Sequence, residues 1–171
     1  MNETIQVLKE RRSIRQFKAE QISPETLDQI LECGTLAPSG MGRQAAVMVV
    51  VQDPETLHLM SSLNAEIMGK PDMDPFYGAP TCVVILSAGR TAVEDGSLVA
   101  GNLMNAGWAL GVGSCWVNRA KELFERPEGK ELLKKWNLPE TMIGVGNCVL
   151  GYLDCPVPPA HPRKPNYIVR V

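Results

Sequence analysis

Four apolar runs, at 45–51, 81–87, 113–117 and 142–151, limit what this chain can fold into, because each is short, free of charged residues and rich in valine, isoleucine or cysteine. Runs of this length read as strands, and one with no polar alternation reads as a strand covered on both faces. The valine-rich run from Ala45 to Val51 is therefore expected to be buried on both sides, and the fourth run to be a glycine-interrupted strand. Helical patterns separate them. The expectation is an α+β fold with a mixed central sheet flanked by helices, in which 81–87 and 142–151 share one sheet.

The helical segments are marked at their ends as well as along their faces. Residues 3–12 carry Ile5 and Leu8 on one side. Ser23-Pro24-Glu25 and Asp53-Pro54-Glu55 each place a capping side chain before a proline and an acid, followed by Leu27, Ile30 and Leu31 or by Leu57, Met60, Leu63 and Ile67 at helical spacing. His58 lies off that second stripe and reads as a surface residue. Shorter helices are expected near 120–124 and over 127–136, the latter closed by Asn137 and Pro139.

Residues 92–110 are expected to form the central helix, and Leu98, Val99, Leu103, Met104 and Trp108 leave it almost no polar face. Its Gly96, Gly101 and Gly107 each cost about 1 kcal/mol against alanine in a helix interior, so close contact with another helix or a ligand is expected. A second subunit is the expected cover. After the last strand, Pro156, Pro158, Pro159, Pro162 and Pro165 force an extended tail that ends in a strand-like stretch at 166–171. No repeat or linker divides the chain, so 1–171 is expected to be a single domain with 154–171 as its tail.

Between the first helix and the second lies Lys9-Glu10-Arg11-Arg12-Ser13-Ile14-Arg15-Gln16-Phe17-Lys18, which holds five of the 17 basic residues beside one acid. Arginines at 11, 12 and 15 can fork around a tetrahedral anion, with the Ser13 hydroxyl as a further donor. The same residues also suit a solvated helix C-terminus, where basic side chains favour the macrodipole. A second loop, Leu36-Ala37-Pro38-Ser39-Gly40-Met41-Gly42-Arg43-Gln44, has the glycines that let backbone approach a ligand closely.

Composition narrows the partners. A net charge of −2 gives no reason to expect nucleic acid or an anionic membrane, so the basic cluster is local. The apolar runs are too short to span a bilayer and the start of the chain is polar, which makes the cytoplasm the expected location. Five widely spaced cysteines and two histidines suit reduced core thiols better than a disulfide frame or a zinc site. Gly111-Val112-Gly113 precedes a strand and lacks a third glycine, so it is not a dinucleotide fingerprint, and no phosphate-binding Gly-Lys loop is present. With no nucleophile beside a base, any redox or transfer chemistry would reside in a bound cofactor.

Four segments, in order, resemble the FMN-dependent nitroreductase family. Arg11-Arg12-Ser13-Ile14-Arg15-Gln16-Phe17 is similar to its Arg-Arg-Ser-(Ile/Val)-Arg-x-Phe opening. Pro38-Ser39-Gly40-Met41-Gly42-Arg43-Gln44 is similar to its loop Pro-Ser-x-x-Asn-x-Gln-Pro-Trp, with Gly42 for the asparagine and Ala45-Ala46 for Pro-Trp. Ala109-Leu110-Gly111-Val112-Gly113-Ser114-Cys115-Trp116 resembles its helix-to-strand segment, and Pro162-Arg163-Lys164-Pro165 its C-terminal Arg-Lys-Pro.

The resemblance implies a three-layer fold and a homodimer that exchanges its C-terminal strand, with 154–171 wrapping the partner. It implies FMN held at the phosphate by Arg11, Arg12, Ser13, Arg15, Arg163 and Lys164. The flavin ring would meet Pro38, Ser39 and Gly40 of the other subunit, backbone N–H groups at Val117, Asn118 and Arg119, and Asn64 at the pyrimidine edge. Asn118-Arg119 departs from the family's Gly-Gly or Glu-Gly. Hydride would pass from NADH or NADPH through flavin N5 to a nitroaromatic, quinone or similar small acceptor, in ping-pong order and with no obligatory side-chain acid. Two other functions remain open at this point: an FMN-binding module that stores, senses or delivers flavin, and a binder of some other phosphate ligand.

Overall fold

The computed structural model describes residues 2–171. Its elements are α1 (Glu3–Glu10), α2 (Pro24–Thr35), β1 (Val47–Val51), α3 (Pro54–Ile67), β2 (Thr81–Ser87), α4 (Ala92–Ala109), β3 (Gly113–Val117), α5 (Ala120–Glu125), α6 (Pro127–Lys135) and β4 (Ile143–Gly151). The strands form one sheet in the order β1-β2-β4-β3, with β2 and β4 paired in the middle as expected. All three strand pairs are antiparallel, and the parallel component is a single bridge between Ser13 and Ser114.

The unbroken apolar run of β2 is explained by its two faces. Cys82, Val84 and Leu86 point into a core made with Met60 and Leu63 of α3, Leu123 and Phe124 of α5, and Leu132 and Leu133 of α6. Val83 and Ile85 point into a second core with Leu27 and Ile30 of α2 and Val99 and Leu103 of α4. Helices therefore cover both faces, and a strand in the middle layer needs apolar side chains at every position. The glycines of β4 fit this packing: a Cβ on Gly146 would sit 2.7 Å from the Trp116 ring.

Three expectations need correction. β1 is an edge strand, half-buried rather than covered on both faces, with Val50 exposed. Helix α1 ends at Glu10, since Arg11 adopts an extended backbone and the Arg12 guanidinium turns back to cap the Lys9 carbonyl at 2.8 Å. Two of the three glycines of α4 pack against the sheet and its connection and not against another helix: a Cβ on Gly96 would meet Val145 of β4 at 2.7 Å, and one on Gly107 the Val112 carbonyl at 3.3 Å. Residues 166–171 form no strand within the chain, and every residue from Pro156 to Val171 is exposed.

The outer side of α4 is only partly covered. A groove of about 600 Å³ runs between α1 and α4, lined by Val7, Leu8, Cys33, Leu36, Asn102 and Ala106. Ile5, Leu8, Leu36, Val93 and Leu98 are exposed. Among the described residues no helix is long and apolar enough to cross a membrane, and no cluster of side chains could hold a metal ion.

Candidate functional site

The basic segment is laid against the end of the sheet by its backbone. Ile14 N–H donates to the Ser114 carbonyl at 2.9 Å, Lys18 N–H to the Tyr152 carbonyl at 2.9 Å, and Asp154 N–H to the Gln16 carbonyl at 3.1 Å. Ile14 and Phe17 are buried, so the extended backbone turns Arg15 outward. The guanidinium of Arg15 lies over the Tyr77 ring, 5.9 Å from its centroid, which holds the side chain without neutralising it.

The three arginines are not equivalent. Arg12 Nη1 donates to the Lys9 and Arg11 carbonyls, each at 2.8 Å, so this nitrogen caps the end of α1. Arg11 is half-buried, and its Nη1 is sealed from water with no acceptor, as is the Nε of Arg12. A guanidinium N–H group in that state lacks about 1–3 kcal/mol that an acceptor would supply. Burial pushes the Cys115 thiol up, while the charges of Arg15 and Arg11 pull the other way.

At the far end of β3, Val117 is buried and Asn118 and Arg119 are exposed. The Trp116 indole N–H donates to Asn118 Oδ1 at 2.7 Å, fixing that amide. Arg119 sits in the left-handed region at φ 78°, the conformation that favours glycine, the residue the family resemblance leads one to expect here. Its guanidinium pairs with Glu122 at 2.8 Å, and that hydrogen bond is the main cause holding the Glu122 carboxyl below the usual range.

The loop at 38–44 is anchored elsewhere. Gly40 N–H donates to Asp95 Oδ1 at 2.8 Å, and Gln44 N–H to Ser39 Oγ at 3.0 Å. Asp95 stands in the first turn of α4, whereas the basic segment is tied to Ser114, past the last turn. The 18 residues of α4 span about 27 Å, so one chain does not bring Pro38, Ser39 and Gly40 to Arg11, Ser13 and Arg15.

Asn64 is wholly buried in α3; its Nδ2 donates to the Met60 carbonyl at 2.9 Å and its Oδ1 has no partner. Arg163 and Lys164 are in the exposed tail, where the Lys164 ammonium lies 5.3 Å from the Tyr167 ring centroid. Three residues of interest had not been singled out from the sequence. Tyr77 underlies Arg15, Asp95 holds the loop, and Asn147, opposite Val117 in the register, is buried with both ends of its amide unpartnered. Asp95 had one visible signal: with Glu94 it makes up the only charged residues of α4.

The model of the Nitroreductase family matches residues 8–152. A curated protein of Archaeoglobus fulgidus that carries the provisional name NADH dehydrogenase/NAD(P)H nitroreductase is 30% identical over 160 residues, covering 89% of this chain and 86% of that one. The crystal structure of a nitroreductase with bound FMN from Bacteroides fragilis superposes with a TM-score of 0.91 at 27% identity, covering 100% of both chains. Another, a nitroreductase with bound FMN from Desulfitobacterium hafniense, gives 0.88 at 29% identity over 100% of this chain and 99% of that one. From its basic segment to the end of the sheet, the chain belongs to the Nitroreductase family.

Proposed function

We propose that this chain is an FMN-dependent oxidoreductase that works as a homodimer in the cytoplasm. It would carry two electrons from NADH or NADPH to a nitroaromatic, a quinone or a similar small oxidised acceptor. The observation that carries the reading is the buried, acceptor-free Nη1 of Arg11 beside Ser13 and the outward Arg15, a donor set suited to a phosphate monoester. Arg163 and Lys164 would close the same phosphate site when the tail is ordered.

Bound flavin supplies hydride transfer between a reduced nicotinamide and an acceptor. The chain's own task is to bind and orient. Backbone N–H groups at Val117, Asn118 and Arg119 would face the ring, and Asn64 would turn its unpaired Oδ1 to the pyrimidine edge. Pro38, Ser39 and Gly40 would come from a second copy, because one chain holds them at the opposite end of α4 from the arginines. The groove between α1 and α4 and the open space at Gly101, where an added Cβ would meet nothing within 4 Å, offer that copy a seat. The whole of 1–171 acts as one FMN-binding domain in this reading, with 154–171 crossing to the partner sheet.

The test is to identify the flavin released from purified protein and then to follow NADH and NADPH oxidation with nitrofurazone and menadione as acceptors. FMN at one per chain and turnover with either acceptor are expected. A colourless protein that takes up no added FMN would overturn the reading. Flavin binding without turnover would leave only a storage or delivery module.

A further inference from the structure

Asp95 is a carboxylate 4% exposed, and none of the ion pairs among the described residues supplies it with a cation. A buried charge requires strong hydrogen bonds in place of water. Both oxygens have them. Oδ1 accepts from Gly40 N–H at 2.8 Å, Oδ2 from the Thr91 hydroxyl at 3.0 Å, and the Asp95 N–H itself donates to the Thr91 carbonyl at 2.8 Å. Gly40 is pressed onto this pair so closely that a Cβ there would lie 2.5 Å from Thr91 Oγ1.

The loop so held is conformationally demanding. Met41, Gly42 and Gln44 have φ of 56°, 67° and 52°, and two of the three carry side chains that disfavour that region. The loop also has little beneath it. A cavity of about 180 Å³ lies beside it, lined by Gly34, Ala46, Met48, Asp95 and Val99. Apart from the loop's own backbone turns, which include Gly42 N–H to the Ser39 carbonyl and Arg43 N–H to the Gly40 carbonyl, the side-chain bonds that place 38–40 are those of Asp95 and of Ser39 to Gln44 N–H.

We infer that Asp95, backed by Thr91, is a positioning residue that holds Pro38, Ser39 and Gly40 in the place from which they meet the flavin, over a cavity that the small side chain of Ala46 leaves unfilled. The inference rests on the proposed contact between this loop and FMN. It makes two residues interdependent: a larger side chain at 46 should lessen the need for Asp95.

The experiment uses full-length protein, with hydrogen exchange of the 38–44 backbone in the flavin-free form and FMN affinity by fluorescence titration. Asp95→Ala should speed exchange at Gly40 and weaken FMN by about tenfold, the equivalent of one good hydrogen bond. Asp95→Asn should restore most of both, since its Oδ1 still accepts from Gly40 and the Thr91 hydroxyl can accept from its amide. Ala46→Leu or Ala46→Trp should recover part of the loss in the Asp95→Ala background. If Asp95→Ala does not fold, Thr91→Val and Gly40→Ala test the same clamp from its other two members.

A purely structural Asp95 would give a lower melting temperature with unchanged 38–44 exchange and unchanged FMN affinity, and that result overturns the inference. Faster exchange with unchanged FMN affinity overturns it too, because the loop would then not meet the flavin. Either outcome differs from a wild-type protein that binds no FMN, which would instead remove the proposed function and leave the exchange result readable.

Discussion

The guanidinium of Arg119 donates to the Glu122 carboxylate at 2.8 Å from a backbone held in the left-handed region at φ 78°. The pair is exposed on both sides, so it contributes little to stability, whereas a side chain at positive φ costs roughly 1–2 kcal/mol.

Arg119→Gly should therefore leave the protein unchanged or more stable by up to about 1 kcal/mol, after allowing for the entropy that glycine loses on folding. Arg119→Val, β-branched at the same backbone angle, should lose more than about 1 kcal/mol. Urea unfolding of both variants checks the order. A glycine variant clearly less stable than the wild type would show that the Glu122 pair outweighs the backbone term.

Removing Arg11 or Arg15 should release FMN and spare the fold. A charge-assisted bond to phosphate is worth about 1.5–3 kcal/mol, or roughly 10- to 150-fold in affinity. Circular dichroism and the melting curve of the flavin-free protein should barely change, since Arg15 is exposed and Arg11 leaves behind no stranded partner. Variants that both purify fully loaded would move the phosphate elsewhere. Arg163→Ala should show a smaller loss, because Lys164 is adjacent and the tail can adjust.

The sheet thiols predict a pH dependence. Burial pushes Cys148 up to about 12 and Cys82 well above 9.0, so the folded state keeps these protons after the unfolded chain has lost them. Above the ordinary thiol value the unfolded state binds fewer protons than the native one, and stability must fall as pH rises, by about 1.4 kcal/mol per unit for each such thiol. For Cys148 this window runs from 9.0 to about 12. Unfolding free energies at pH 8 and pH 10 should show the drop, and Cys148→Ala should flatten it. In native protein at pH 8, iodoacetamide should spare Cys82 and Cys148.

Much of this architecture was legible because burial leaves a simple signature in the middle layer. The run at 81–87 matches β2 residue for residue, since both its faces are covered and every position must be apolar. The caps at Ser23 and Asp53 were equally plain, each accepting from a backbone N–H three residues on. What could not be read depends on distant partners. The valines of β1 look the same in an edge strand as in a central one, and whether Arg12 reaches outward or back to the Lys9 carbonyl is decided by where α1 stops. Asp95 becomes significant only when folding carries Gly40 to it, 55 positions away. Of the segments that suggested a cofactor site, the arginines and the β3 end lie along one strand, while the 38–40 loop is held at the first turn of α4.

That separation motivates the last prediction, an obligate homodimer with two FMN sites between subunits. The α1–α4 groove and the exposed Ile5, Leu8, Leu36 and Leu98 present an apolar face that a second copy would cover. The edge of β1 is open, and the tail from Pro156 onward exposes Val157, Tyr167, Ile168, Val169 and Val171 with nothing in its own chain to pair with. Tyr167 to Arg170 can add to the neighbouring sheet as an edge strand, bringing Arg163 and Lys164 off the surface on the way. An interface built from both features should exceed the ~2,000 Å² at which obligate dimers begin. Light scattering at micromolar concentration should give twice the 18.7 kDa chain mass. Deleting 156–171 should weaken both dimer and flavin binding while leaving the four-stranded sheet, whose own pairs do not involve the tail. A folded, flavin-loaded monomer would show that Pro38 to Gly40 do not act across an interface, and the flavin would then have to be held by the β3 end and the arginines alone.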